Sequence, residues 1–528
     1  MVAVSPHRDI SSGADKRAGT AASAALVWGV ALLVFASRML FRSHYLYHWD
    51  SVNFAFSLMH YDVRLAQPHP PGYILYVALA RLVQGVVGDA NLAMQLISAV
   101  CSGLLVVALW RLAERFFGPE SRAGLIVGLL AATNPLLWFY GSVALPHVLD
   151  AVLMTVIALL GWRILHGEGR LLFPSALLLG VAAGVRQQDL VFLMPLWLFC
   201  VRREGVRRIV PALALTGAVC VAWLWPMIAL SGGLNAYRST VAAYTQHFFS
   251  TTSLLHGAGL TGVLYNVDKL LRYTLYAVAF ALPVLLLTFG QWRRAPGERL
   301  GGERGLFLLL WAAPSLAFYS LIHMGQHGLI FTFLPPLLLA IAGLLSAAGT
   351  RGVTAAAVAA AASALFFMAA PEHLLPGDGF KVLNSATLRN LDNGLENAHR
   401  TLRRRFPADE TVVVSRNFRH TSYYLPEYPV VWSKAWDDRP SRNQGVTLWQ
   451  RYRARPVART ASGGLSLPAR ARYLVILGDG PRLRLGDGVR MEQVGDGMRC
   501  VTLPPRAHGG GAAVRSSKAE GLVIASKL

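Results

Sequence analysis

The chain has 528 residues, 54% hydrophobic and only 15% charged, with a mean hydropathy of +0.43; few soluble enzymes of this size could cover so much apolar surface, so a polytopic membrane protein is expected. Fifty Lys and Arg against 28 Asp and Glu give a formal charge of +22, a balance that by itself would fit a nucleic-acid binder. The distribution argues against that partner: from Pro371 onward 25 basic residues stand against 14 acidic ones, and much of the remaining excess forms short arginine clusters between apolar runs, which set topology before they bind ligands.

Lys16 and Arg17 precede an apolar stretch that continues to Leu40. It is too long for a signal-peptide core and no small-residue cleavage pattern follows, so residues 1–21 are read as a cytoplasmic tail before a retained first span. A crossing helix needs about 20 apolar residues, and eleven segments are read as spans: 22–42, 91–110, 123–140, 143–162, 171–185, 189–201, 209–230, 271–291, 305–322, 329–347 and 352–370. Residues 73–88 are a separate case. At about 1.5 Å per residue they reach only about 24 Å, and Arg81, Gln84, Gly85 and Gly88 share one helical face. An amphipathic helix in the interface is expected there.

Topology follows from the arginines. With 73–88 not crossing, Arg111, Arg115 and Arg122, then Arg163 and Arg170, Arg202, Arg203, Arg207 and Arg208, Arg293, Arg294, Arg299 and Arg304, and Arg351 all fall in cytoplasmic loops. The opposite connections, 43–90, 141–142, 186–188, 231–270 and 323–328, are sparser in cations. From Pro371 the apolar density drops and strand-like runs occur at 411–415, 429–432 and 473–477. Leu388, Leu391, Leu395, Ala398 and Leu402 repeat at helical spacing before the first of them. The expected architecture is an all-α membrane domain over 22–370 with an external catalytic loop at 43–90, a small extracytoplasmic α/β domain over 371–506, and a mobile end at 507–528. Cys101, Cys200, Cys220 and Cys500 lie far apart, which excludes a disulfide scaffold or a zinc cluster.

The chemistry concentrates in the first external loop, where His44, His48, Asp50, His60, Asp62, Arg64 and His69 fall within thirty residues. Trp49-Asp50-Ser51 just after the first span, His69-Pro70-Pro71-Gly72-Tyr73 opening the interfacial helix, and the turn at Arg115-Phe116-Phe117-Gly118 resemble the GT-C class of membrane glycosyltransferases, in particular its protein O-mannosyltransferase-like branch and bacterial relatives. The likeness covers roughly residues 20–345. It implies a sugar donor on polyprenyl phosphate, inversion at the anomeric carbon, and a multi-pass protein of the bacterial inner membrane. Relatives often carry a second acid next to the first aspartate or three residues after it; here Ser51 and Asn53 stand there, which puts a two-carboxylate or metal-bridged site in doubt.

The residues by themselves point the same way. Sugar transfer from a lipid phosphate to a hydroxyl needs a carboxylate to take the proton and cations or polar donors to stabilise the departing phosphate. Asp50, ionised in an open loop, is the candidate base; the bland alternative is an N-cap for a helix beginning at Ser51. Asp62 and Asp150 are candidates for a second acid, Asp150 standing where an intramembrane carboxylate is expensive enough to suggest function or else ties helices together. The candidates for substrate binding are His69, Arg186, His323 and Gln326: Arg186 either grips a phosphate or snorkels to head groups, and His69 either lines the phosphate site or orders its loop. The spacing of His323, Gln326 and His327 is no metal signature, so no metal ligand is assigned, although a divalent cation stays open; no other cofactor is required, the lipid-linked sugar being a substrate. The aromatic connection 231–270 is read as a belt resting on the membrane or an interfacial lid. The expected function is glycosyl transfer to a hydroxyl acceptor of unknown type at the external face, with membrane lipid and no nucleic acid as partners. The alternative is a transporter or flippase of a lipid-linked saccharide, against which stands the lack of an internal repeat.

Overall fold

The computed structural model describes residues 11–293, 295–374, 380–415, 417–432, 458–459, 465–466, 470–478, 483–485, 490–495, 497–503, 513–517 and 521–524. They form two compact units, one of residues 1–42, 92–223 and 248–387, the other of 43–91, 224–247 and 388–528. This division differs from the expected boundary at 371: the C-terminal region groups with residues 43–91 and with a short stretch after Trp223.

The first unit is helical. Among the described residues of both units, five helices are long and apolar enough to cross a membrane, seven if each of two bent pairs counts as one span, and five shorter apolar helices accompany them. Every one of the eleven expected spans coincides with one of these elements, and the remaining short helix, Ile74–Val87, is the segment assigned to the interface. Two spans differ in shape. The segment 123–140 is broken into Ala123–Thr133 and Pro135–Gly141 at 59°: Asn134 turns out of the helix, its side-chain oxygen accepts from the Leu136 and Leu137 amides, and Pro135 occupies the first position of the new helix. An Asn-Pro pair is both an N-cap and a helix start. The span expected at 271–291 begins earlier, at Gly259, runs to Val278 and turns by 70° into Ala281–Leu287. Most of the 231–270 connection, expected as an aromatic belt or an interfacial lid, is helical, in Leu234–Phe249 and the first turns of Gly259–Val278.

The second unit carries the expected α/β fold. The helix Ser385–Arg405 precedes the strand Thr411–Ser415, which pairs in parallel with Val430–Trp432 on one side and Tyr473–Leu477 on the other. The antiparallel strands Met498–Thr502 and Met491–Gly495 complete the sheet. Leu402 and Phe406 from the helix end pack on Val413, Val475, Met498 and Cys500, so the alternating apolar residues of the strands and the leucine stripe of the helix meet as one core. Within the stretch expected as a mobile end, the described residues Ala513–Ser517 and Gly521–Ile524 pair antiparallel in a second sheet that also contains Leu483–Leu485.

The segment 43–91 belongs to this unit because its start is anchored to the Ser385–Arg405 helix. The Asp392 carboxylate accepts from Ser43 Oγ at 2.7 Å and from the backbone amides of His44 at 2.7 Å and Tyr45 at 3.0 Å. Farther along, the Leu46 amide donates to the Tyr424 hydroxyl and the His420 ring donates to the Leu46 carbonyl. Four residues after Leu46 stands the catalytic candidate, Asp50.

Candidate active site

His48 opens the helix Trp49–Met59. Its backbone is extended, its Nδ1 accepts from the Asp50 amide at 3.1 Å, and its own amide donates to Ser51 Oγ. The helix thus starts earlier than expected and is capped by a histidine rather than by Asp50, which leaves the aspartate carboxylate for other work. Asp50 is also not in open solvent: only 15% of its side chain is exposed, with Oδ2 at 3.2 Å from His48 Nδ1 and Oδ1 at 3.3 Å from His69 Nδ1. Burial alone would raise its pKa, but the imidazoles of His69 and His48 outweigh that and hold the carboxyl well below the ordinary carboxylate range. Asp50 is ionised at neutral pH, as a base must be. His48 Nδ1 cannot accept from the amide and donate to the carboxylate at once: neutral, it caps the helix, and protonated, it turns its proton to Asp50.

His69 is placed by the turn that follows. Gly72 has φ +129°, and a Cβ there would lie 2.6 Å from Met227 Sδ and 2.8 Å from the Tyr61 hydroxyl, so only glycine fits. That Tyr61 hydroxyl donates to the Gly72 carbonyl at 2.6 Å, and Tyr237 donates to the Pro71 carbonyl at 2.8 Å. The His69 ring packs against Phe54 and Tyr73 and lies parallel to Tyr244 at 6.3 Å. Arg419, from the short helix Phe418–Tyr424, lies over the Trp49 ring at 5.0 Å.

The other candidates have partners of their own. Asp62 is buried and fully engaged: its carboxylate holds the guanidinium of Arg64 through Nε and Nη2 and accepts from the Arg64 amide, tying a short turn. That pairing suits a structural clamp and leaves no lone pair poised for an acceptor proton. Asp150 and Arg186 belong to the first unit, where they form an ion pair at 3.5 Å with 2% and 4% of their side chains exposed. Asp150 sits in the first turn of His147–Leu165, closer to the helix start than expected and where the helix dipole favours an anion. Arg186 is neither snorkelling nor on an open rim; it follows the helix Leu172–Val185 in extended conformation and also donates to Gln188. Asp189, equally buried, completes an acid–arginine–acid group that sequence reading did not assemble. In the same unit His323 Nδ1 lies 3.1 Å from Thr252 Oγ1; burial, then the ammonium of Lys269, push its imidazole down to about 4, so it is neutral. Gln326 precedes the turn His327–Thr332 and accepts from the Leu329 amide through its carbonyl. Among the described residues no group of three or more His, Cys, Asp or Glu is arranged to hold a metal ion.

The structure therefore joins Asp50 with His69, gives Asp62 a separate structural partner, and pairs Asp150 with Arg186. Reading the sequence named His48 without giving it this role and missed Arg419 altogether. His48 had a local signal, a polar residue two before an acid at a helix start; Arg419, some 370 residues downstream of Asp50, had none.

Residues 68–230 match the family model described as dolichyl-phosphate-mannose-protein mannosyltransferase, a stretch that begins one residue before His69 and includes Asp150 and Arg186. By sequence no curated protein matches the chain. By fold it is similar to ArnT from Cupriavidus metallidurans bound to undecaprenyl phosphate, with 14% identity over 91% of this chain and 98% of that one and a TM-score of 0.56. The apo state of the same protein gives 12% identity, 92% and 98% coverage, and a TM-score of 0.56. A more distant likeness is to the apo form of an oligosaccharyltransferase from Archaeoglobus fulgidus, with 10% identity over 85% of this chain and 69% of that one and a TM-score of 0.45.

Proposed function

We propose that this chain, a membrane glycosyltransferase of the GT-C class by family model and fold, transfers one sugar from a polyprenyl-phosphate donor to a hydroxyl acceptor at the extracytoplasmic face, with Asp50 as the base. The observation that carries the reading is the ionised carboxylate of Asp50, nearly buried between two imidazoles and next to the motif where the family match begins. The acceptor oxygen attacks the anomeric carbon, its proton passes to Asp50, and the electron pair of the breaking carbon–oxygen bond leaves on the lipid phosphate. A single displacement inverts the anomeric centre. So weak a base removes its proton late, when the sugar has become oxocarbenium-like and the attacking hydroxyl correspondingly acidic. The carboxylate charge also favours that developing cation. His69 is accordingly read as the partner that orients Asp50 rather than as a phosphate ligand.

The Asp150–Arg186–Asp189 group is read as a second, structural or electrostatic centre of the membrane domain. Supporting the orientation are the arginine clusters: residues 43–90 and the C-terminal domain lie outside and the N-terminus inside a bacterial cell membrane. A thiol reagent added to intact cells should reach a cysteine at His60 but not one at Arg203, both exposed positions; the reverse pattern refutes the orientation.

The deciding experiment supplies the purified protein with labelled polyprenyl-phosphate sugars and, separately, nucleotide sugars, together with extracted envelope material, with and without a chelator. A glycosidic product from the lipid-linked donor is expected. Transfer from a nucleotide sugar alone overturns the reading, and vectorial movement of the lipid without product supports a flippase instead.

A further inference from the structure

We propose that Arg419, contributed by the C-terminal α/β domain, is the residue that grips the phosphate of the lipid-linked donor beside Asp50. The inference rests on the glycosyltransferase reading and names a part of its site that no motif in the sequence marks.

Three observations carry it. The guanidinium lies over the Trp49 ring at 5.0 Å and the Phe418 ring at 4.9 Å, so it rests on aromatic surfaces, one of them the residue that precedes Asp50 in the chain. Its buried Nε has no hydrogen-bond partner among the described residues. Arg64, Arg400 and Arg403 of the same unit each pair with a carboxylate, on Asp62, Glu396 and Glu427, whereas Asp50 takes its direct ion pairs from His48 and His69. Arg419 and Asp50 are near enough for their charges to bear on each other and form no direct ion pair among the described residues.

A guanidinium taken partly out of water without an anionic partner is costly unless a ligand supplies the anion. The donor has that chemistry. Its phosphate diester carries one negative charge, and as the bond to the anomeric carbon breaks the departing phosphate gains a second. The planar fork of an arginine fits two phosphate oxygens at once, and its attraction grows as the charge doubles, so it binds the transition state more strongly than the ground state. The aromatic flanks fix the fork without competing for its donors. Arg186, the phosphate candidate suggested by sequence, is instead engaged with Asp150.

The test uses the full-length protein in detergent, with undecaprenyl phosphate and undecaprenol as probes and with transfer from a polyprenyl-phosphate sugar as activity. Arg419→Gln should weaken undecaprenyl phosphate binding by about tenfold or more and lower turnover further, with undecaprenol binding unchanged. Arg419→Lys should recover part of both losses, because it restores the charge but not the fork, and wild-type-like melting of either variant shows that the fold is kept. Asp50→Asn should leave affinity for undecaprenyl phosphate within about threefold while abolishing most transfer. Wild-type affinity for undecaprenyl phosphate in Arg419→Gln, or an equal loss for undecaprenol, overturns the assignment while leaving the glycosyltransferase reading intact. A wild-type protein that does not prefer the phosphate to the alcohol defeats that reading itself.

Discussion

Replacing Asp392 by alanine should loosen the loop that carries Asp50 without touching any residue near the reacting atoms. The Asp392 carboxylate is the common acceptor for Ser43 Oγ and the His44 and Tyr45 amides, and only 8% of the residue is exposed. Ser43 keeps a second partner, since its hydroxyl also bonds to the Tyr45 carbonyl, so the loss falls on the two amides. Each bond to a charged acceptor contributes about 1.5–3 kcal/mol, and a buried amide left unmade costs about 1–3 kcal/mol. His44 is exposed and its amide can be hydrated, whereas Tyr45 is only half-exposed. A net cost of about 2–4 kcal/mol results, felt first as local opening of residues 43–46 because Tyr424 and His420 still hold Leu46. Amide hydrogen exchange read by mass spectrometry should speed up at Tyr45 by about 30- to 1000-fold, at about 1.4 kcal/mol per factor of ten. Asp392→Asn, which keeps one acceptor oxygen, should fall between the variant and wild type. Turnover should drop in parallel, since this stretch leads directly into the His48 cap. Unchanged exchange at Tyr45 in Asp392→Ala would refute the anchoring role of the carboxylate.

Asp50→Asn should lower turnover by about 10² or more, the scale of a lost general base, with little change in melting temperature because His48 and not Asp50 caps the helix; near-wild-type activity transfers the role elsewhere. Gly72→Ala, forced into φ +129° against Met227 and Tyr61, should destabilise the turn by more than about 1 kcal/mol and reduce activity by displacing His69, as measured by denaturation and by transfer rate. Arg186→Ala should destabilise the membrane domain by about 3–5 kcal/mol because it strands the buried Asp150 carboxylate, and a variant as heat-stable as wild type contradicts the ion pair. Burial, partly offset by its bond to the Leu46 carbonyl, lowers the His420 pKa from 6.5 to about 4. The unfolded chain therefore binds the extra proton first: stability from this group is full above about pH 6.5 and is lost as pH falls toward about 4. His420→Gln should flatten that part of the stability profile, and an unchanged slope in the variant refutes it.

The sequence by itself determined the membrane class, the helical character of nearly every span and the C-terminal strands. Those properties are written locally: apolar length decides a crossing helix, three consecutive valines at 412–414 decide a strand, and the stripe from Leu388 to Leu402 decides an amphipathic helix. Asp50 and His69 stood out because their motifs lie within twenty residues of each other. The bend at Asn134-Pro135 was legible too, in the chemistry of a cap followed by a proline, though the apolar run around it masked the signal. Only the tertiary structure decided which charges meet. Asp62 resembled Asp50 in the sequence, yet one closes a turn on Arg64 while the other faces two imidazoles. Arg186 looked like an exposed cation until its partner proved to be Asp150 on another helix, and Arg419 became a neighbour of Trp49 only through the folding of the C-terminal domain. Hydrophobic periodicity is a property of neighbours along the chain, whereas the state of a carboxylate depends on burial and on charges a few ångströms away, which no local pattern encodes.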